Sequence, residues 1–572
     1  MAGRTAGLRL ADDGHVLLAY PLWAIRLALW WLLSLPRRLR RPPARVAFLL
    51  EAPPPEPPSP RRPFWQRFLG PQPMSVQDLA RALRGLAAAA PRVHTVVLHL
   101  RPVTLSQAQV DALADVLAEV RAAGVRVACW AANYSADTYR LACAADEVLL
   151  QPGGLVAPLG LAREYVFLAE TLERVGVSLD LLQVSPYKTA GDMLTRRQLS
   201  PEAREMADWL ADAAFEETVS AIGAGRGLDV AAARALVDAS PFTDEQALAA
   251  GAIDAIVGEE ELPSRLGGPV QGWATARRRL PRPRPIRPGR YVGLIRVEGM
   301  ILDGRSRRTP MRPPLAPPLL FGDQCGDLTV VEQARALTVD RRVGAVVLWV
   351  DSGGGSASAS EAMAAALAQL ARHKPLVAAM GAVAASGGYY VTTPAQRVYA
   401  HPGTVTGSIG VLAGKLVATG LLQHLLLHRD VVKRGANTTM WSSMEPFSEV
   451  ERRKVGELID RSYRLFLERV AAARHRTPGE IEPVAGGRVW TGRQALERGL
   501  VDELGGLDRA VAEARRLAGM APNAPLREVR QARRDLGPPL PATGPAVIEH
   551  ALLGLAALRG AGAWWLSPLV AD

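Results

Sequence analysis

Two short strings carry residues able to do covalent chemistry. Asp351-Ser352-Gly353-Gly354-Gly355-Ser356 follows directly on the apolar run Val346–Val350. Ala384-Ala385-Ser386-Gly387-Gly388-Tyr389 follows a second apolar run, Val377–Met380, after a few small residues. Glycines at the end of a strand let backbone N–H groups approach a ligand closely. That arrangement suits an oxyanion hole or a phosphate nest, and it also suits a tight turn with no ligand. No GKS or GKT follows, so a P-loop is not supported. Ser386 sits among small residues at the start of an expected helix, which fits an N-cap and fits a nucleophile equally. The strict GxSxG pattern is absent, because Ala384 stands in the first glycine place.

A serine nucleophile needs a base. The histidines nearest to Ser386 in sequence are His373 and His401. A lysine serves if it is neutral, and burial lowers a lysine pKa. Lys188, in Pro186-Tyr187-Lys188-Thr189, is the candidate; its plain alternative is a solvated surface lysine. Ser185 and Lys188 satisfy S-x-x-K, but Pro186 lies between them and no S-D-N occurs, so the penicillin-binding pattern fails. His424 and His428 stand four apart in an apolar run of helical pattern with no third ligand nearby, and read as ordinary helix residues. Neither a metal nor a cofactor is expected.

The elements that position these residues occur twice. Val96–Leu100 (VVLHL) corresponds to Val346–Val350 (VVLWV) at an offset of 250 residues. Val127–Tyr139 matches Val377–Tyr389 at the same offset, as do Pro152-Gly153 with Pro402-Gly403 and Gly160 with Gly410. Phe242–Asp254 matches Trp490–Asp502 at an offset of 248. A fixed period over this length is the mark of an internal repeat. Each copy reads strand, helix (Leu105–Ala122 or Ala359–Ala371), buried strand, then a small-residue segment leading into another helix and strand. Pro201–Gly227 and Phe447–Ala473 read as long amphipathic helices at matching places. Strands alternating with helices, with little polar alternation, predict an α/β fold built on a mostly parallel sheet, present twice. The copies differ at the chemistry: Ser386 faces Ala136, and Lys188 faces Thr438.

The 572 residues are 48% hydrophobic and 22% charged, an ordinary globular composition. Lys plus Arg number 68 against 56 Asp plus Glu, a net charge of +12, with much of the excess in short Arg runs beside proline-rich stretches. Such runs read as solvated linker or as contacts to anionic lipid. No nucleic-acid-binding signature accompanies them. The three cysteines do not make a disulfide framework, and Cys129 and Cys143 read as buried thiols. Val16–Leu35 is apolar apart from Pro21 and Arg26, and reads as a single membrane anchor or as a helix lying in the interface. The Arg cluster after it would place the bulk of the chain in the cytoplasm. The apolar stretch Val547–Val570 reads as a surface-associated or packed terminal helix.

In order along the chain, Tyr187-Lys188, Asp351–Ser356, Met380-Gly381 through Tyr390, and Thr406-Gly407-Ser408-Ile409-Gly410 resemble the motifs of the S49 family, the membrane-bound bacterial signal peptide peptidases, in their long tandem form. The resemblance covers 46 to 507. It implies Ser386 as nucleophile, Lys188 as general base, and a Clp-protease or crotonase-like fold in each half. It further implies a homotetramer, no cofactor, remnant signal peptides and other short hydrophobic peptides as substrates, and an inner-membrane enzyme facing the periplasm. Gly353 replaces the family's proline; Gly354 and Gly387 are the oxyanion candidates. The expected layout is 1–45 membrane-associated, 46–73 first strand and proline-rich linker, 74–280 the lysine-bearing repeat, 281–290 linker, 291–530 the serine-bearing repeat, and 531–572 an apolar tail. A catalytically idle membrane scaffold and a crotonase-like acyl-CoA enzyme are the alternatives.

Overall fold

The computed structural model describes residues 21–35, 42–58, 74–89, 92–280, 289–307 and 323–529, and the backbone of 564–566. Residues 16–20 of the N-terminal apolar run, the linker 281–288 and most of the apolar tail lie outside them. Contacts divide the chain into two compact units. One comprises Met1–Gly160, Glu216–Tyr291 and Met520–Pro525; the other comprises Leu161–Phe215, Val292–Gly519 and Leu526–Asp572.

The first unit is built on strands β1 (Arg45–Leu50), β2 (Thr95–Leu100), β3 (Arg126–Ser135) and β4 (Glu147–Ala157). These pair in sequence order, all parallel, with Val97 opposite Ala128 across β2 and β3. Strand β5 (Ser178–Gln183) belongs to the other unit, and the short β6 (Phe242–Thr243), β7 (Ala255–Ile256) and β8 (Gln271–Gly272) complete this sheet in the order β6-β4-β3-β2-β1-β8, with β7 on β4. Every residue of β2 is buried, which is why its sequence does not alternate: helices cover both faces of a parallel sheet. The helix expected from Leu105 begins at Gln107, because Ser106 forms a capping box with Gln109. Trp130 is fully buried and its indole N–H donates to the Val257 carbonyl at 2.8 Å.

The second unit has two sheets. The larger contains β9 (Tyr291–Glu298), β12 (Val343–Ser352), β14 (Leu376–Ala385), β15 (Arg397–Ala400), β16 (Val405–Gly407), β18 (Val489–Thr491), β19 (Glu503–Leu504) and β20 (Leu526–Glu528), in the order β18-β16-β14-β12-β9-β20 with β15 and β19 off that path. The smaller contains β10 (Met300–Leu302), β11 (Gln324–Gly326), β13 (Gly354–Ser356), β17 (Leu412–Val417), β5 and β21 (Trp564–Leu566). The core strands β12 and β14 run parallel, Val347 opposite Val377 and Leu348 opposite Ala378, all fully buried. Each of the valine and leucine side chains among them contributes about 2 kcal/mol of hydrophobic stabilisation. Helix Ala357–Ala371 is N-capped by Ser356, and the long helix Glu449–Arg474 by a Ser448–Glu451 capping box.

Two expectations meet a different outcome. The helix after β17 spans only Thr419–His424, so His428 falls outside it and the two histidines do not share a helix. In the apolar tail, 564–566 is an extended strand rather than helix, because its backbone finds sheet partners on both sides. The N-terminal helix covers 21–35 and exposes Leu22, Ile25, Leu29, Trp31 and Leu32; among the described residues no helix is long and apolar enough to cross a membrane.

Arg140 and Asp111 form an ion pair at 2.5 Å in the first unit, each side chain only 8% exposed. Removing one partner strands a buried charge. Arg140→Leu is expected to lower unfolding stability by about 3 kcal/mol; a denaturant midpoint unchanged from wild type would refute this.

Candidate active site

Strand β14 ends at Ala385, and the chain turns at Ser386 into the short helix Gly387–Tyr390. Ser386 has φ 55° and ψ −117°, outside the ordinary regions for a side-chain-bearing residue. Such a conformation costs about 1–3 kcal/mol and persists only where its surroundings impose it. Here the Ser386 N–H donates to the Gly407 carbonyl at 2.8 Å, and its carbonyl accepts from the Tyr390 N–H at 2.8 Å. Two glycines let the turn press against the β12–β13 corner: a Cβ on Gly388 would lie 2.3 Å from the Ser352 carbonyl oxygen, and one on Gly387 would lie 2.5 Å from Ser360 Oγ. The corner is tied in place by Asp351, whose carboxylate accepts from the Val383 N–H at 3.0 Å, and by Ser352, whose hydroxyl donates to the Gly299 carbonyl at 2.6 Å.

The Ser386 hydroxyl makes no cap hydrogen bond to the helix it precedes. It lies 2.8 Å from Lys188 Nζ. Lys188 follows β5 in the segment Leu161–Phe215, which packs within the same compact unit as Ser386 although stretches of the first unit flank it in sequence. Its loop is held by the Lys188 N–H donating to the Ser185 carbonyl at 3.1 Å and by the Ser185 hydroxyl donating to the Gly486 carbonyl. Both Lys188 and Ser386 are fully buried. Lys188 Nζ also reaches the Ser408 carbonyl at 3.0 Å and the Ser408 hydroxyl at 2.9 Å. Its partners are thus two hydroxyls and a carbonyl, with no carboxylate. Burial without a counter-charge pushes the Lys188 amine well below its ordinary value of 10.5.

Ser408 is the residue that sequence reasoning passed over. It lies in the string Thr406–Gly410, which was read for its family pattern and not for this hydroxyl. Its φ of 52° turns its side chain and carbonyl together toward the lysine, and its N–H donates to the Arg488 carbonyl at 2.6 Å. Gly354 and Gly387 are both at the site, but the Gly354 N–H donates to Ser352 Oγ at 3.1 Å. Gly355 N lies 3.4 Å from where a Gly387 Cβ would stand. Among the described residues no group of three or more His, Cys, Asp or Glu side chains could hold a metal.

Residues 119–268 and 368–521, together more than half of the chain, match the model of the peptidase family S49. The chain belongs to this family. It is 32% identical over 466 residues to Protease 4 of Salmonella typhi, an alignment covering 78% of this chain and 72% of that one. It is 28% identical over 496 residues to the chloroplastic serine protease SPPA of Arabidopsis thaliana, covering 82% and 70%. It is 28% identical over 431 residues to Protease 4 of Haemophilus influenzae, covering 71% and 67%. The protein is a serine protease of the S49 type. Its α/β architecture, with parallel sheets in each unit, accords with that family.

Gly487 shapes the lysine's side of the site. Its φ is 92°, and a Cβ there would lie 2.7 Å from both Lys188 N and Cα. Gly487→Ala is expected to cost about 2 kcal/mol of stability, read as a lowered thermal midpoint; an unshifted midpoint would show that the Lys188 loop has room to move.

Proposed function

We propose that Ser386 and Lys188 are the nucleophile and general base of this S49 protease. The observation that carries the reading is the 2.8 Å approach of Lys188 Nζ to Ser386 Oγ in a fully buried setting without a carboxylate. In its neutral state the amine accepts the hydroxyl proton as Ser386 Oγ attacks the scissile carbonyl carbon. The resulting ammonium gives that proton to the departing amine. Water, deprotonated by the same amine, then hydrolyses the acyl-enzyme ester and restores both groups. Ser408 orients the amine toward Ser386 through its hydroxyl and carbonyl. The oxyanion donors in this reading are the Gly387 N–H and the glycine loop. With the Gly354 N–H donating to Ser352 Oγ, Gly355 supplies the loop's donor in that arrangement, or Gly354 does so once Ser352 turns away.

The substrates we propose are short hydrophobic peptides, remnant signal peptides among them. The small residues around Ser386 favour a small or apolar side chain at the cleavage point. The exposed apolar side chains of helix 21–35 suit a membrane surface, and the family resemblance favours a tetramer facing the periplasm. The two family-model segments and the sequence offsets of 250 and 248 support a tandem duplication whose first copy lacks the serine. An acyl-CoA enzyme on a related fold would have no use for a lysine beside the serine, and an idle scaffold would have no use for either.

The test is hydrolysis of fluorogenic apolar peptides by the full chain across pH. Ser386→Ala and Lys188→Ala are expected to lower kcat/KM by about a thousandfold or more. Because the active form has neutral Lys188, and burial depresses its pKa, the wild-type rate rises with pH along a limb well below the ordinary lysine range. Ser408→Ala is expected to displace that limb and lower kcat about tenfold. Undiminished cleavage by Ser386→Ala or Lys188→Ala would overturn the assignment.

The same burial has a stability signature. Below the ordinary lysine value the unfolded chain binds a proton at Lys188 that burial disfavours in the folded chain, so folding is opposed there. This penalty fades as pH rises toward the ordinary value of 10.5. Lys188→Met is therefore expected to melt at a higher temperature than wild type at pH 7, with the gap narrowing toward pH 10. A gap that stays constant with pH would mean the lysine is charged in the folded state.

A further inference from the structure

Lys188 Nζ meets Ser386 and Ser408, which stand on different turns of the second unit. The Lys188 loop must therefore keep register with both. Ser408 is set by its N–H donating to the Arg488 carbonyl at 2.6 Å. The Gly487 N–H donates to the Ile409 carbonyl at 2.8 Å, which continues the antiparallel pairing of β16 with β18. The side chain of the same arginine turns to the lysine's side. Its guanidinium carbon lies 3.9 Å from the centroid of the Tyr187 ring, and Tyr187 directly precedes Lys188. That ring is fixed at its far end, where the Tyr187 hydroxyl donates to Glu205 Oε2 at 2.7 Å. It also packs against Met206, Leu210 and Val489. One residue thus touches both stretches that meet at the amine.

Three features mark this contact as more than surface packing. Arg488 is half-buried, and among the described residues its side chain enters no ion pair: Nη1 donates to the Ala485 carbonyl at 3.2 Å, and its flat face lies on the ring. Gly486 leaves room for it, since a Cβ there would lie 3.2 Å from Arg488 Nη1 and 3.3 Å from Ser185 Oγ. The matched stretches Phe242–Asp254 and Trp490–Asp502 put Ser240 at the place of Arg488, as the earlier match puts Ala136 at that of Ser386. The guanidinium occurs in the copy that carries the serine. We propose that Arg488 is a positioning residue for the base: its carbonyl sets Ser408 and its guanidinium sets Tyr187, so that Lys188 and Ser408 are held in one register against Ser386. The proposal rests on the assignment of Ser386 and Lys188 to the reaction. A misplacement of about 1 Å at a reacting group costs about a hundredfold in rate. The Lys188 loop keeps its ties to Ser185 and Gly486 without the guanidinium, so a loss of about tenfold is expected.

The experiment uses the full chain and hydrolysis of a fluorogenic apolar peptide. Arg488→Met keeps the backbone carbonyl and an apolar stem and removes the guanidinium; Tyr187→Leu removes the ring. The stacking of Trp209 on Trp490, with ring centroids 4.8 Å apart, keeps β18 against the lysine-bearing segment in both. Each is expected to lower kcat about tenfold, with KM within about twofold of wild type. The double variant is expected to lose about tenfold as well, and not about a hundredfold, because both changes remove one contact. Arg488→Lys returns a cation to the ring and is expected to recover about threefold over Arg488→Met. Wild-type kcat in Arg488→Met, multiplied losses in the double variant, a loss carried by KM alone, or an Arg488→Lys no better than Arg488→Met overturns the proposal. If Lys188→Ala cleaves as well as wild type, the catalytic reading falls whatever Arg488 does. If Lys188→Ala is inactive and Arg488→Met cleaves as wild type does, that reading stands and the positioning role alone falls.

Discussion

An amine without a counter-ion in a dry interior is the constraint on which the second unit turns. Lys188 is fully buried and meets only hydroxyl and carbonyl oxygens. A charged ammonium there would forfeit its hydration with no carboxylate to offset the loss. The neutral form is what such surroundings stabilise, and a neutral amine has a lone pair to offer. The aliphatic stem needs a close-fitting wall, which Gly487 and Gly410 supply by having no side chains of their own. Local loss of stability and local chemical capacity thus have one physical source.

The opposing wall is under a different constraint. Ser386 is held in a backbone conformation that costs energy, and the cost is met by packing that only glycine permits at positions 387 and 388. The β12–β13 corner is braced from behind by Asp351 and Ser352. These residues contact the backbone rather than the Lys188 amine, and they determine where the Ser386 turn can sit. The parallel sheet supplies rigidity: β12 and β14 are buried on both faces, so the turn at their ends has little freedom to relax.

Much of this was legible in the residues. The strings around Ser386 and Gly354 stand out because glycines and alanines cluster where a strand should end, and the repeat offset exposes the positions at which one copy differs from the other. Lys188 was legible through its motif. Its packing in the same unit as Ser386 was not, since sequence order assigned it to the other half. Ser408 was missed because a lone serine after a glycine carries no periodic signal; its place beside Lys188 depends on a positive φ that only the fold reveals. The engagement of the Gly354 amide by Ser352 is likewise a matter of loop geometry. The tail was misread as helical because an apolar run does not declare its partner, and residues 564–566 take their extended form from strands some 150 and 200 positions away.

The placement of Lys188 also bears on how such a chain can change over generations. At the sequence offset of 250 residues, Ala136 stands where Ser386 does. The segment Leu161–Phe215 lies in sequence between two stretches of the first unit, yet it folds into the unit containing Ser386, and it brings the buried lysine with it. A gene that dropped its first half would drop the lysine too. The two units are in this sense interleaved along one chain, and a break anywhere between Lys188 and Ser386 would part the two groups.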